Sequence, residues 1–284
     1  MNYLLLFLTI LALFLQSIMQ KEFNKKTKNR GAYIFNSIAS LFAAIVFLLS
    51  DKDGFCFQKA LIPYVIAFGI LFATAVLFIF LAIREGSLSL TSLLKSYSLL
   101  VPTFFGVFYF HENISIVFTI GLVFLVVSIL LINMKKEDTK MSMRWWIYIL
   151  ILFVANGSAS VVQLLQQKNF LGQYKSEFMM CALLLSSAIF FVLSMFAERK
   201  CAIECVKAGG LYAMSMGVLL GLANLLLMTL ISSDMPSSII YPVMSGGGVL
   251  IAALGSVIIY KEKLTIAQTI GIASGVVSIV LMNL

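Results

Sequence analysis

Charge is what this sequence is short of. Only 11% of its 284 residues are Asp, Glu, Lys or Arg, and 61% are hydrophobic. A soluble globular chain carries about 25% charged and roughly 45–50% apolar residues. With a mean hydropathy of +1.05, the deficit excludes a soluble enzyme. It excludes a disordered chain too, because disorder needs low hydrophobicity and high charge. Histidine is nearly missing. His111 is the single one, and one imidazole cannot build a usual zinc set. Cys56, Cys181, Cys201 and Cys205 form neither a metal set nor a disulfide framework. No GxxxxGK[ST] loop is present, so ATP-driven work by this chain alone is not expected. No His–Asp, Cys–His or acidic dyad offers a catalytic set. The expectation is therefore no enzyme, no catalytic residue, no metal and no cofactor.

What the chain has is long apolar runs. Broken at its polar gaps, it gives ten segments, near 2–20, 31–50, 61–83, 87–109, 113–133, 144–166, 178–197, 208–230, 236–259 and 265–283. Each is about the 20 residues that span a bilayer. Residues 2–15 have no basic stretch before them and no small-x-small cleavage site after them, so the first segment reads as a retained span. The longest polar gaps, near 20–30 and 134–143, are too short for a soluble domain. The work must happen within the helices. The fold class expected is an all-α polytopic membrane protein of ten transmembrane helices. Gly217-x3-Gly221 and Gly271-x3-Gly275 are small-x3-small pairs of the kind that lets helix backbones approach in lipid.

The second half echoes the first. At a constant offset of 150, Glu112 pairs with Glu262, Gly121 with Gly271, and Val126-Val127-Ser128-Ile129 with Val276-Val277-Ser278-Ile279. The first helices repeat at an offset of 147, with Gln16, Gln20 and Lys21 matching Gln163, Gln167 and Lys168. The boundaries are a first repeat over 1–134, a charged connecting loop over 135–143 and a second repeat over 144–284. Five spans per half is an odd number, so the second half must cross in the opposite sense. A repeat in sequence becomes an inverted repeat in space, an architecture many secondary transporters use.

Few polar residues stand inside the spans, and each has a functional and a structural reading. Lys95 lies about a third of the way into the fourth span. A charge at that depth is expensive. It either faces a cavity, where it would attract a carboxylate or phosphate, or it snorkels or pairs structurally. Its repeat mate is Ser245. Asn156, Ser160 and Gln163 follow an i, i+4, i+7 pattern and share one face of the sixth span, and Gln16 stands in the first. These amides either line a path or bond between helices. Asn224, in the eighth span, is a weaker candidate. Tyr97 and Tyr241 either stack on a flat substrate or anchor packing. The run Gly246-Gly247-Gly248 in the ninth span marks either a helix crossing or a gating hinge, and Pro102 and Pro242 can kink their helices. Glu112 and Glu262 sit in short turns, where each can cap the helix that follows it or serve as a gate. Glu198 with Arg199 looks like a boundary pair, and Trp145 and Trp146 suit an interfacial belt.

The residues resemble a known family. Phe110-His111-Glu112-Asn113-Ile114 through Gly121, and Tyr260-Lys261-Glu262-Lys263-Leu264-Thr265 through Gly271, are similar to the two signatures of EamA-type transporters. These form the ten-helix branch of the drug/metabolite transporter superfamily. Ile240-Tyr241-Pro242-Val243-Met244-Ser245-Gly246-Gly247-Gly248 is similar to the third helix of small multidrug resistance proteins, with Met244 in place of the usual tryptophan. The resemblance covers almost the whole chain. It implies a permease, and in the small multidrug resistance proteins the run that Tyr241, Ser245 and Gly246 match lines the helix interface of a dimer; these three positions are expected among the substrate-binding residues. Where small multidrug exporters use a first-helix glutamate, this chain has Gln16 and Gln163.

The function expected is secondary active transport by alternating access. The cargo is a small organic metabolite such as an amino acid or another carboxylate, with a proton or counter-substrate as the coupling partner. Multidrug or cation export is the alternative, with a channel behind it. The net charge of +8 reflects topology rather than nucleic-acid binding. Fifteen of the twenty Lys and Arg fall in the gaps after odd-numbered spans. The positive-inside rule puts those gaps in the cytoplasm of what is expected to be a bacterial inner (plasma) membrane, with both termini outside. Epitope tags at either terminus should therefore be accessible on intact cells. Protection of both tags would reverse the orientation.

Overall fold

The computed structural model describes residues 2–51, 54–85, 88–112, 115–133, 142–233, 235–260 and 265–282. Glu262 and most of the 135–143 connector lie outside them. The described residues are helical throughout. The α-helices are α1 (Asn2–Thr27), α2 (Ala32–Ser50), α3 (Ile62–Glu85), α4 (Leu88–Tyr97), α5 (Leu100–Tyr109), α6 (Ile116–Asn133), α7 (Met143–Asn169), α8 (Lys175–Ala197), α9 (Ala202–Ile231), α10 (Ser237–Tyr260) and α11 (Ile266–Met282). A 3-10 turn at Lys59–Leu61 leads into α3. Seven helical segments are long and apolar enough to cross a membrane, which is compatible with an integral membrane protein. Exposed apolar side chains on these and on the shorter helices agree. Leu49, Phe108, Ile116, Phe196 and Ile266 are each at least 75% exposed. A soluble monomer rarely presents contiguous apolar surface on that scale.

Nine of the expected segments correspond to single helices. The one at 87–109 does not, because it divides at Ser98–Leu99 into α4 and α5. Pro102 supplies the reason. Its nitrogen carries no hydrogen, and its ring crowds the carbonyl four residues back, which is that of Ser98. The Ser98 carbonyl instead accepts from Val101 N at 3.1 Å, and Leu99 N reaches Ser96 O at 3.3 Å. The turn tightens to i→i+3 spacing there and one helix becomes two. Pro242 acts differently. It sits one turn into α10, and that helix runs unbroken through Pro242 and Gly246-Gly247-Gly248. The helix is interrupted at Pro102 and continuous at Pro242, and the glycine run introduces no break.

The chain forms two compact units. One comprises residues 1–73 and 162–233, the other 74–161 and 234–284. Each draws on both halves of the sequence. In the first unit, α2 packs against α8 and α9, and α1 packs against α9. Ser37 meets Ser187 while Ser50 meets Ser176, so α2 and α8 run antiparallel. Gly217 and Gly221 form the contact of α9 with α2. A Cβ on Gly217 would collide with the Ala39 carbonyl, and one on Gly221 would lie 3.0 Å from the Ala43 carbonyl. These are backbone approaches of the type the small-x3-small spacing predicts. In the second unit, α6 packs along α11 and α5 packs on α10. Ser278 Oγ donates to Gly121 O and Ser128 Oγ to Gly271 O, which makes α6 and α11 antiparallel as well.

Trp145 departs from the interfacial place expected of it. It is 1% exposed and its indole N–H donates to Thr91 Oγ1 at 3.2 Å, while Trp146 is exposed. Gly217→Leu should lower the melting temperature of the detergent-solubilised protein, because overpacking at a close contact costs about 1–3 kcal/mol. Val218→Leu, on the exposed face of the same helix, should leave it unchanged.

Candidate functional site

The break between α4 and α5 organises most of the residues that the sequence singles out. Ser98 stands at the junction. Its hydroxyl donates to Lys95 O at 2.6 Å and accepts from Asn156 Nδ2 of α7, also at 2.6 Å. Asn156 therefore serves the free end of α4. One residue earlier, Tyr97 OH donates to Val126 O of α6 at 2.8 Å. Tyr97 also lines an apolar groove of about 430 Å³ with Leu100, Val101, Phe104, Val126 and Phe153. From α10, Ser245 Oγ donates to Ser96 O at 2.9 Å and Tyr241 OH to Ser160 O at 3.1 Å. Asn156 thus supports the end of α4 through Ser98, while Ser245 and Tyr241 tie α10 to α4 and α7.

Lys95 is different in kind. It lies in the last turn of α4, where a cation is favoured by the partial negative charge of the helix end. Its side chain is exposed and has neither a hydrogen-bond nor an ion-pair partner among the described residues. Of the described residues expected at the site, this is the one with a charge still to satisfy. Tyr241, at 0% exposure, is buried on its Ser160 contact and presents no ring face for stacking. Gly246 packs on Leu125 of α6, Gly247 is buried, and Gly248 has open space beside it.

Gln16 and Gln163 belong to the other unit, and both reach α9. Gln16 Nε2 donates to Leu219 O at 3.2 Å and Gln163 Nε2 to Asn224 Oδ1 at 2.9 Å. The shared face expected for Asn156 and Gln163 therefore divides. Asn156 serves the break in α4, while Gln163 ties α7 to α9. Gln166 and Gln167 are buried beside them, and Gln167 Oε1 has no donor.

Two carboxylates cap helices far away in sequence. Glu112, in the turn after α5, accepts from Ser237 N at 3.0 Å, Ser237 Oγ at 2.7 Å and Ser238 N at 2.8 Å. It caps α10 rather than α6, the helix that follows it. Gly106 makes room, since a Cβ there would collide with Ser237 Oγ. Glu198, expected at the boundary beside Arg199, accepts from Tyr33 N and Ile34 N at 3.0 Å each and caps α2. Negative charge is favoured at both positions by the unpaired amides of a helix start. Sequence reasoning missed the partners of Glu198, Trp145 and Ser98. Their bonds span 54 to 165 residues, so no local pattern announces them. The break at Ser98 was readable from Pro102 by counting back four.

No protein-family model and no curated protein matches the chain. Solved structures do. Twenty-eight chains match. One, a crystal structure with no functional description, superposes with a TM-score of 0.83 at 13% identity, covering 100% of this chain and 98% of its own. At that identity the likeness is one of fold.

Glu112 carries a pH dependence. Burial opposes its charge, but the hydrogen bonds from Ser237 and Ser238 outweigh burial and hold its pKa below the ordinary 4.5. A depressed folded-state value means the cap stabilises fully above the unfolded value and is lost as pH falls through the folded one. Glu112→Gln should therefore melt lower than the parent at neutral pH. The gap between the two should shrink as the pH drops below about 4.5. A gap independent of pH would show that the charge is not what caps α10.

Proposed function

We propose that this chain is a secondary transporter of the EamA type within the drug/metabolite transporter superfamily. Its ten membrane segments form two inverted five-helix repeats, and it moves a small anionic organic metabolite by alternating access. The observation that carries the reading is a set of hydrogen bonds that come in pairs related by the 150-residue offset. Ser37 Oγ donates to Ser187 O at 3.1 Å, and Ser187 Oγ returns a bond to Ser37 O at 2.8 Å. In the other unit, Ser128 Oγ to Gly271 O at 2.7 Å has its mate in Ser278 Oγ to Gly121 O at 2.8 Å. Exchanging repeat equivalents turns each bond into its partner. Helix pairs related in this way and running antiparallel are what an in-plane pseudo-twofold axis requires, and inverted repeats of this kind are common in carriers.

The broken helix gives the reading its chemistry. In carriers, interrupted helices lie where substrate binds, because only there is unpaired backbone tolerated. The break lies in α4–α5, whose repeat mate α10 stays continuous, so the halves are chemically unequal. Lys95 supplies a cation with no partner among the described residues, and a carboxylate or phosphate on the cargo would complete it. No bond in the cargo is made or broken.

A charge-assisted contact to a substrate is worth about 1.5–3 kcal/mol, or roughly tenfold or more in affinity. Lys95→Ala in liposomes should weaken saturable, counter-exchanging uptake of an anionic metabolite by at least that factor, and Lys95→Arg should retain part of it. Unchanged uptake by Lys95→Ala would remove Lys95 from the site. Unsaturating, high-rate conductance would replace the carrier with a channel. Screening amino acids, phosphates, sugars and cationic dyes separates anion transport from cation export.

A further inference from the structure

A groove on the first unit is lined by apolar side chains and two cations. It holds about 950 Å³ between the end of α8 and the start of α9, with Ile34 of α2 at its base. Phe191, Met195, Phe196 and Ile203 line it, all more than half exposed. Arg199 and Lys207 belong to the same lining. Both cations are exposed, and neither has a carboxylate partner among the described residues. The nearest acid in sequence, Glu198, is turned to the Tyr33 and Ile34 amides. Glu204 is not part of the lining.

We propose that this groove is a binding site for one anionic phospholipid, with its phosphate between Arg199 and Lys207 and its acyl chains along α8 and α9. Three features support the assignment. The volume lies in the range of ligand-binding clefts. The lining combines two cations, Arg199 in the turn between α8 and α9 and Lys207 near the start of α9, with exposed apolar side chains, which matches the two parts of an amphiphile. Basic pockets between membrane helices on the positive side are typical headgroup sites, and the α8–α9 turn is among the gaps that the charge distribution places on that side. A second copy of the chain fits poorly. A twofold contact would set the same two cations against themselves, on a protein already at +8. A lipid seated here would touch α2, α8 and α9 together and so brace the packing of the first unit.

Native mass spectrometry of the full-length protein released from detergent tests this. With equimolar phosphatidylglycerol and phosphatidylcholine, the parent should retain one phosphatidylglycerol with about tenfold preference. Arg199→Gln with Lys207→Gln should abolish that preference, and Lys25→Gln with Lys26→Gln should keep it. A photo-crosslinker at Phe196, used with both cations intact, should capture a phospholipid. It provides an independent readout if the double variant does not fold. The proposal falls if the parent shows no headgroup preference, or if the folded double variant keeps it. It falls equally if glycerol 3-phosphate or inorganic phosphate alone competes as well as lipid. Capture of a second protein chain at Phe196 would assign the groove to an oligomer instead.

Discussion

A helix that ends or breaks within an apolar layer leaves amides and carbonyls that hydrocarbon cannot satisfy, and each orphan costs several kcal/mol. This accounts for several of the polar side chains that hold helix ends. Ser98 and Asn156 close the end of α4, and Ser245 closes a carbonyl of its last turn. Glu112 closes the start of α10 and Glu198 the start of α2. Serines on α2, α6, α8 and α11 donate to backbone carbonyls of facing helices. Many of the buried polar side chains are committed to the backbone in this way. The uncommitted ones stand out for that reason.

Lys95 is the clearest of them. Its neighbours Ser96, Tyr97 and Ser98 all take part in helix contacts, while its own ammonium has no partner among the described residues. The break that exposes it depends on Pro102, and the neighbours that hold the break come from α6, α7 and α10. The proposed cargo site and the stability of the second unit therefore share residues. A change at Asn156 or Ser245 would disturb folding before it reported on transport, whereas Lys95 can be altered with little structural cost.

How much was legible in the sequence varied with the range of the interaction. Helix positions were legible almost throughout, because a membrane span is announced by length and apolarity alone. The fourth segment was the exception. There, length and apolarity gave one span, although Pro102 already marked the place where the i→i−4 ladder must fail. The candidate site was legible as a set of unusual residues and not as an arrangement. Gln163 and Asn156 share a helical face yet serve different units. Tyr241 looked available for stacking and is buried. Glu112 was expected to cap the helix beside it and instead caps one 125 residues away. Local periodicity has no information about which distant helix end lies opposite a given side chain.

The shortage of charge determined by itself that the chain is helical and fitted to a membrane, since only helices that satisfy their own backbones tolerate so apolar a sequence. The 150-residue echo determined that its two halves should be related. Tertiary structure decided which helices meet, that α2 meets α8 and α6 meets α11 through exchanged serine bonds, and which of the scarce polar groups are used up in holding helix ends. Such choices depend on distances between segments far apart in the chain, and these exist only once the helices have packed.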